Sequence, residues 1–248
     1  MLSHNRTALL GSLAAATLGV AACSGGSDLP TAPTTPAMVA SASPPPESAP
    51  PPPPPSTARY RVVFDATWTG RTHPLEVPGN PHFSPLVGGT HSSSAGFWQG
   101  GFVATEGIRR MAERGDVSPL DDEIRSAIAA GTAERLLRGD GVSSPKTTSF
   151  EFDISSTHPL VTLVTMVAPS PDWFVGVSAL PLYDQGTWAT DVTVALTPWD
   201  AGTDSGTSFL SPDSETLPRQ PISRITGAPL GSGSTVVPLG TLRFTKVQ

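Results

Sequence analysis

The sequence predicts an all-β fold, an antiparallel β-sandwich with a short helical insertion. Three observations predict it. Short segments with every second residue apolar recur through the region from Arg59 to Gln248. Turn residues, chiefly Gly, Pro, Asp and Ser, separate them. Helical spacing is confined to one region between the first strand and the rest, so the many short strands joined by Gly and Pro turns argue for a sandwich.

"YRVVFDATW" opens the domain, with Tyr60, Val62, Phe64, Ala66 and Trp68 on one face and Arg61, Val63, Asp65 and Thr67 on the other. That is the pattern of a half-buried strand. "FEFDIS" (150–155), "LVTLVTMVA" (160–168), "WFVGVSAL" (173–180), "WATDVTVAL" (188–196) and "TLRFTKV" (241–247) read the same way. The helical region holds two elements. A short helix is expected from about Val103 to Arg114, stopped by Gly115. "SPLDDEIRSAIAAGTAERLLRG" follows, with Ser118 as N-cap, Pro119 at the first helical position and a break near Gly131. Its arginines alternate with Glu and Asp, as on a solvated helix face, and the net charge of −6 argues against a nucleic-acid partner.

Before the domain lie two segments of different character. The first 23 residues combine Arg6, an apolar run from Ala8 to Ala22 and small residues ahead of Cys23, the pattern of an export signal rather than of a membrane span. "VAAC" resembles the lipobox of bacterial lipoproteins, which implies a signal peptide over residues 1–22 and lipidation of Cys23. The alternative is an ordinary cleavage site with an incidental thiol. Ser24 after the cysteine implies, by the same resemblance, the outer membrane. With Cys23 lipidated, the remaining 225 residues contain no cysteine, as suits an exported chain without disulfides. Residues 23–58 are therefore expected to be an acylated, Pro/Ser/Thr-rich stalk ending in the prolines Pro50 to Pro55. Fully extended at about 3.1 Å per residue, it would reach roughly 100 Å.

Catalytic chemistry has few candidates, because the chain has no phosphate-cradling glycine loop and no paired cysteines. His73, His82 and His91 recur every nine residues beside Ser92 to Ser94, which raises an envelope hydrolase as an alternative. That interval matches no zinc-binding spacing, and no serine stands in a nucleophile elbow. Histidines hydrogen-bonded in an ordered loop are the plainer expectation.

"PWDAGTDSG" (198–206) carries a different chemistry. If 173–180 and 188–196 pair as an antiparallel hairpin, Asp172 falls near Asp200, and Asp172, Asp200 and Asp204 converge while Asp184 sits at the far end. Three converging carboxylates repel unless a cation lies among them, and calcium accepts such an all-oxygen set in irregular geometry. Zinc would want histidine or cysteine, and these loops hold neither. The spacing is equally compatible with Asx-turns that only stabilise a loop.

Four long stretches in this order carry a resemblance: "TWTGRTHPLEVPGNPHFSPLVGGTHS", "FWQGGFVATEGIRRMAERGD", "PSPDWFVGVSALPLYDQGTW" and "DAGTDSGTSFLSPD". From about Tyr60 to Ile225 the chain resembles the spondin N-terminal domain, the module of F-spondin and mindin. The resemblance implies a β-sandwich like the calcium-dependent lipid-binding domains, calcium ligands at Asp172, Asp200 and Asp204, and a binding or adhesion role with no reaction. It also implies extracellular or envelope partners, whether protein, glycan or lipid, without naming one. A purely structural envelope lipoprotein is the remaining alternative.

Overall fold

Tyr60, Val62, Phe64, Ala66 and Trp68, the apolar phase of the first strand segment, are each at most 1% exposed. The computed structural model describes residues 56–233 and 235–248. The expected signal peptide, Cys23 and the stalk up to Pro55 lie outside the described residues. In chain order the first strands are β1 (Thr57–Ala66), β2 (His82–Phe83), β3 (Leu86–His91), β4 (Ala133–Gly139), β5 (Val142–Ser143) and β6 (Lys146–Ser155). Next come β7 (Leu160–Ala168), β8 (Trp173–Pro181), β9 (Tyr183–Asp184), β10 (Thr187–Trp188) and β11 (Asp191–Ala195). The last are β12 (Trp199–Asp200), β13 (Ser223–Arg224), β14 (Gly231–Ser232), β15 (Thr235–Val236) and β16 (Gly240–Lys246). Helices α1 (Glu106–Arg114) and α2 (Leu120–Ala129) stand between β3 and β4.

Two antiparallel sheets face each other. One has the order β11-β16-β1-β6; the other runs β13-β12-β8-β7-β2-β5, with β3 also on β7 and β4 beyond β3. Tyr60, Phe64 and Phe244 from the first sheet meet Leu163, Trp173 and Val175 from the second in the main core. The outer face of the second sheet is covered by the helices, through Ile108, Met111 and Ile124 against Val87, Val164 and Phe174. Strand β7 is consequently buried on both faces, which is why "LVTLVTMVA" is nearly continuous in apolar residues. Its two threonines are satisfied locally: Thr162 meets His91, and Thr165 donates to the Ser84 carbonyl at 2.7 Å.

The helical insertion is shorter than its sequence implies. Thr105 caps α1 by accepting from the Ile108 N–H, and Gly115 ends it at φ 70°. Helix α2 starts after Pro119 without a side-chain cap, whereas the sequence pointed to Ser118. Residues 133–139, expected to be helical, form β4. Their register against β3 shifts between Ala133 and Arg135, so Glu134 bulges out and the period-two pattern is broken.

The expected hairpin between the segments 173–180 and 188–196 does not form. Strand β8 pairs with β7 and β12, and β11 pairs with β16 in the opposite sheet. The β9–β10 hairpin carries the chain across, closed by the Ala189 N–H on the Leu182 carbonyl at 2.9 Å. The Tyr60 hydroxyl reaches the carbonyl oxygens of both Leu182 and Ala189, fixing the crossing to the core.

Candidate metal centre

Asp172, Asp200 and Asp204 are brought together by a route different from the expected hairpin. Strand β12 pairs with the first residues of β8, so Asp200 lies opposite Trp173 and Trp199 opposite Phe174. The Ala201 N–H donates to the Asp172 carbonyl at 3.2 Å. Beyond β12 the chain folds back: Gly202 takes φ 73°, and a Cβ there would strike the Gln220 carbonyl, so a glycine is required. Asp204 then forms an isolated bridge with Glu215.

Asp172 is fully buried. Its Oδ2 accepts the Thr203 N–H at 2.7 Å, the Thr203 hydroxyl at 3.1 Å and the Asp204 N–H at 3.0 Å. Its Oδ1 is buried with no hydrogen-bond partner among the described residues. Asp200 Oδ1 accepts the Gly202 N–H at 2.7 Å, and Asp204 accepts the Gly206 N–H and the Ser214 N–H, each at 2.7 Å. Both i to i+2 bonds are Asx-turns, so the turn half of the sequence reading is realised. Burial, and then the Asp200 charge, push the Asp172 carboxyl up to about 6. Burial also raises Asp200, with the charge of Asp204 adding to it and the Gly202 N–H opposing it.

Among the described residues no group of three His, Cys, Asp or Glu side chains stands in ready ligating geometry. The carboxylates are turned instead towards backbone N–H groups. The donors still fit a hard cation in kind. They are all oxygens, Asp172 Oδ1 is a buried acceptor without a donor, and Asp172 and Asp200 are each destabilised by burial and by a neighbouring carboxylate, Asp200 acting on Asp172 and Asp204 on Asp200. Alongside runs a polar cleft of about 680 Å³, walled by Arg109, Glu113 and Arg114 of α1 and by Asp204, Asp213 and Glu215.

Thr203 is the central residue the sequence reading missed. Its hydroxyl and N–H hold Asp172, and its only signal was a threonine enclosed by "DAG" and "DSG".

The histidines go to separate duties. His73 Nε2–H donates to the Val237 carbonyl at 3.1 Å, His82 Nδ1–H to Asn80 at 2.9 Å, and His91 Nδ1–H to Ser92 at 2.9 Å. The Thr162 hydroxyl meets the other nitrogen of His91 at 2.8 Å. His73 and His91 are buried, and desolvation lowers the pKa of both. Ser92 Oγ donates to the Thr132 carbonyl at 3.2 Å rather than to an imidazole.

The Spondin_N family profile matches residues 58–234, which include all three aspartates and both helices. Strand β16, which completes the first sheet, lies beyond the match. Spondin-1 of Rattus norvegicus is 36% identical over 177 residues, covering 68% of this chain and 22% of the relative. Spondin-1 of Homo sapiens is 36% identical over 179 residues, with the same shares. Spondin-2 of Rattus norvegicus is 36% identical over 181 residues, covering 69% of this chain and 53% of the relative. The chain thus spans about a fifth to about a half of the length of these curated relatives. On the length of the profile match and the identity it shares with these proteins, the chain belongs to the spondin N-terminal domain family.

Proposed function

We propose that this protein is a calcium-binding, lipid-anchored binding or adhesion module, exported and held at the cell envelope, on the outer membrane, through Cys23. The observation that carries the calcium reading is the buried, unpartnered Oδ1 of Asp172 beside the destabilised carboxyl of Asp200. A bound calcium would supply the positive charge that these carboxylates lack. Asp172 would offer Oδ1, since its Oδ2 is already committed to Thr203 and Asp204. Asp200 would offer the oxygen not used by Gly202, and Asp204 would contribute from the adjoining turn. The role is one of restraint, tying the start of β8 to the loop after β12.

Membership of the spondin N-terminal family supports a binding role over a reaction. The Asx-turns of Asp200 and Asp204 favour a second reading, in which the loop is self-sufficient and takes no ion. Calorimetric titration of the whole chain separates the two. The proposal expects calcium to bind at one site more tightly than magnesium and Asp172→Asn to weaken it at least tenfold; absence of calcium uptake supports the turn alone.

A further inference from the structure

A groove of about 430 Å³ opens where the two sheets present free edges, and none of the three aspartates lines it. One wall is β8, which beyond Phe174 has, among the described residues, no strand on the side that β12 occupies earlier. The other is β11, whose one neighbour among the described residues is β16. The direction of the free groups on β11 follows from its ladder. The Leu196 N–H donates to the Gly240 carbonyl and the Lys246 N–H to the Thr190 carbonyl, both at 2.9 Å. Antiparallel pairs alternate, so Val192 and Val194 bond β16, and the N–H and C=O of Asp191, Thr193 and Ala195 point away from it. "DVTVA" carries no Pro, Lys or bulge to blunt that edge. The β8 edge is partly closed, because Trp98 Nε1–H donates to the Val177 carbonyl at 3.3 Å.

At one end of the groove stands Arg224. Its guanidinium lies 4.5 Å from the ring centre of Trp199, and its Nη1 donates to Thr197 Oγ1 at 2.8 Å. No carboxylate pairs with it among the described residues. A stacked, oriented and unpaired guanidinium is preorganised for a carboxylate, and Trp and Arg are the residues on which binding energy concentrates. A second shallow, mostly apolar groove continues past Trp199 towards Pro221.

We propose that this groove binds an extended peptide segment of a partner protein, which adds a strand to β11 and places an acidic side chain on Arg224. Free backbone donors and acceptors favour a peptide over a glycan, because an extended chain repeats the same groups at the strand interval. The proposal rests on the reading of the domain as a binding module and is independent of the calcium site.

The test pans the immobilised whole chain against a library of random linear peptides and measures the enriched peptides by fluorescence polarisation. Enriched peptides should share an acidic residue next to β-branched or apolar residues. Arg224→Gln should weaken them at least tenfold. Thr193→Pro should do the same, since it removes an N–H on the free edge of β11, pointing away from β16, and spares the ladder to β16. Arg224→Gln keeps the question open to refutation should Thr193→Pro not fold, and Asp184→Asn, exposed on the β9–β10 hairpin, should leave peptide affinity unchanged. The proposal is overturned by no enrichment, or by peptides indifferent to both groove variants. Enrichment of proline runs matching residues 50–55 would instead make the occupant this chain's own segment, and self-association abolished by Thr193→Pro would make it a second copy.

Discussion

The Thr203 N–H donates to Asp172 Oδ2 at 2.7 Å, joining residues 31 apart in sequence and linking the start of β8 to the loop after β12. The threonine hydroxyl and the Asp204 N–H converge on the same oxygen. This arrangement leaves the other oxygen of a fully buried carboxylate without a partner, and it is the physical basis for reading the loop as an ion site.

Thr203→Val removes one hydroxyl donor to a buried carboxylate while nearly keeping volume. Urea unfolding should show a loss of about 1.5–3 kcal/mol, the range for a hydrogen bond to a charged group. An unchanged midpoint would mean that the hydroxyl contributes nothing to holding Asp172.

Gly202→Ala places a Cβ against the Gln220 carbonyl at φ 73°. The left-handed backbone alone costs about 1–2 kcal/mol, and the contact adds to it. Gly96→Ala, where a Cβ meets open space, is the control and should be nearly neutral in the same denaturation experiment.

His73 and His91 are held below the ordinary imidazole pKa by burial. Between the folded value and the unfolded one, the unfolded chain binds more protons, so their contribution to stability is complete above about pH 6.5 and is lost as pH falls below it. Asp172, raised to about 6, acts with the opposite sign: its burial cost appears as pH rises from its unfolded value through about 6. Imidazole NMR separates the two, with midpoints under 6.5 expected for His73 and His91. Values at or above 6.5 would contradict their burial as neutral rings.

The strands were legible because half-buried strands must alternate, and Tyr60 to Trp68 follow that rule at every position. Their partners were not legible, since alternation fixes which face is buried but not which edge is shared. Asp172 and Asp200 were rightly placed together by a hairpin that does not exist; the two residues of β12, too short for any pattern, do that work. Residues 133–139 misled for another reason: "AERLLRG" is rich in helix formers, and pairing with β3 overrides propensity while the bulge at Glu134 hides the alternation. The unpaired Oδ1 of Asp172 and the stacking of Arg224 on Trp199 depend on contacts between distant segments, which no local pattern encodes.

Replacing Cys23 tests the anchor. Cys23→Ala should accumulate an uncleaved precursor or a misprocessed chain, as read by fractionation and intact mass. Normal maturation with retained membrane association would contradict lipidation at this residue.

The central claim, that calcium joins Asp172, Asp200 and Asp204 and so stabilises the fold, is tested most directly by the melting temperature of the whole chain in calcium and in chelator. An ion at a hundred times its dissociation constant adds about 2.7 kcal/mol, which for a domain of this size raises the midpoint by roughly 5–10 °C. Asp172→Asn, Asp200→Asn and Asp204→Asn should each shrink that difference, and Asp184→Asn, on the β9–β10 hairpin beyond the far end of β8, should preserve it. Equal midpoints for the unaltered chain in calcium and in chelator would contradict the claim and leave the loop a set of Asx-turns.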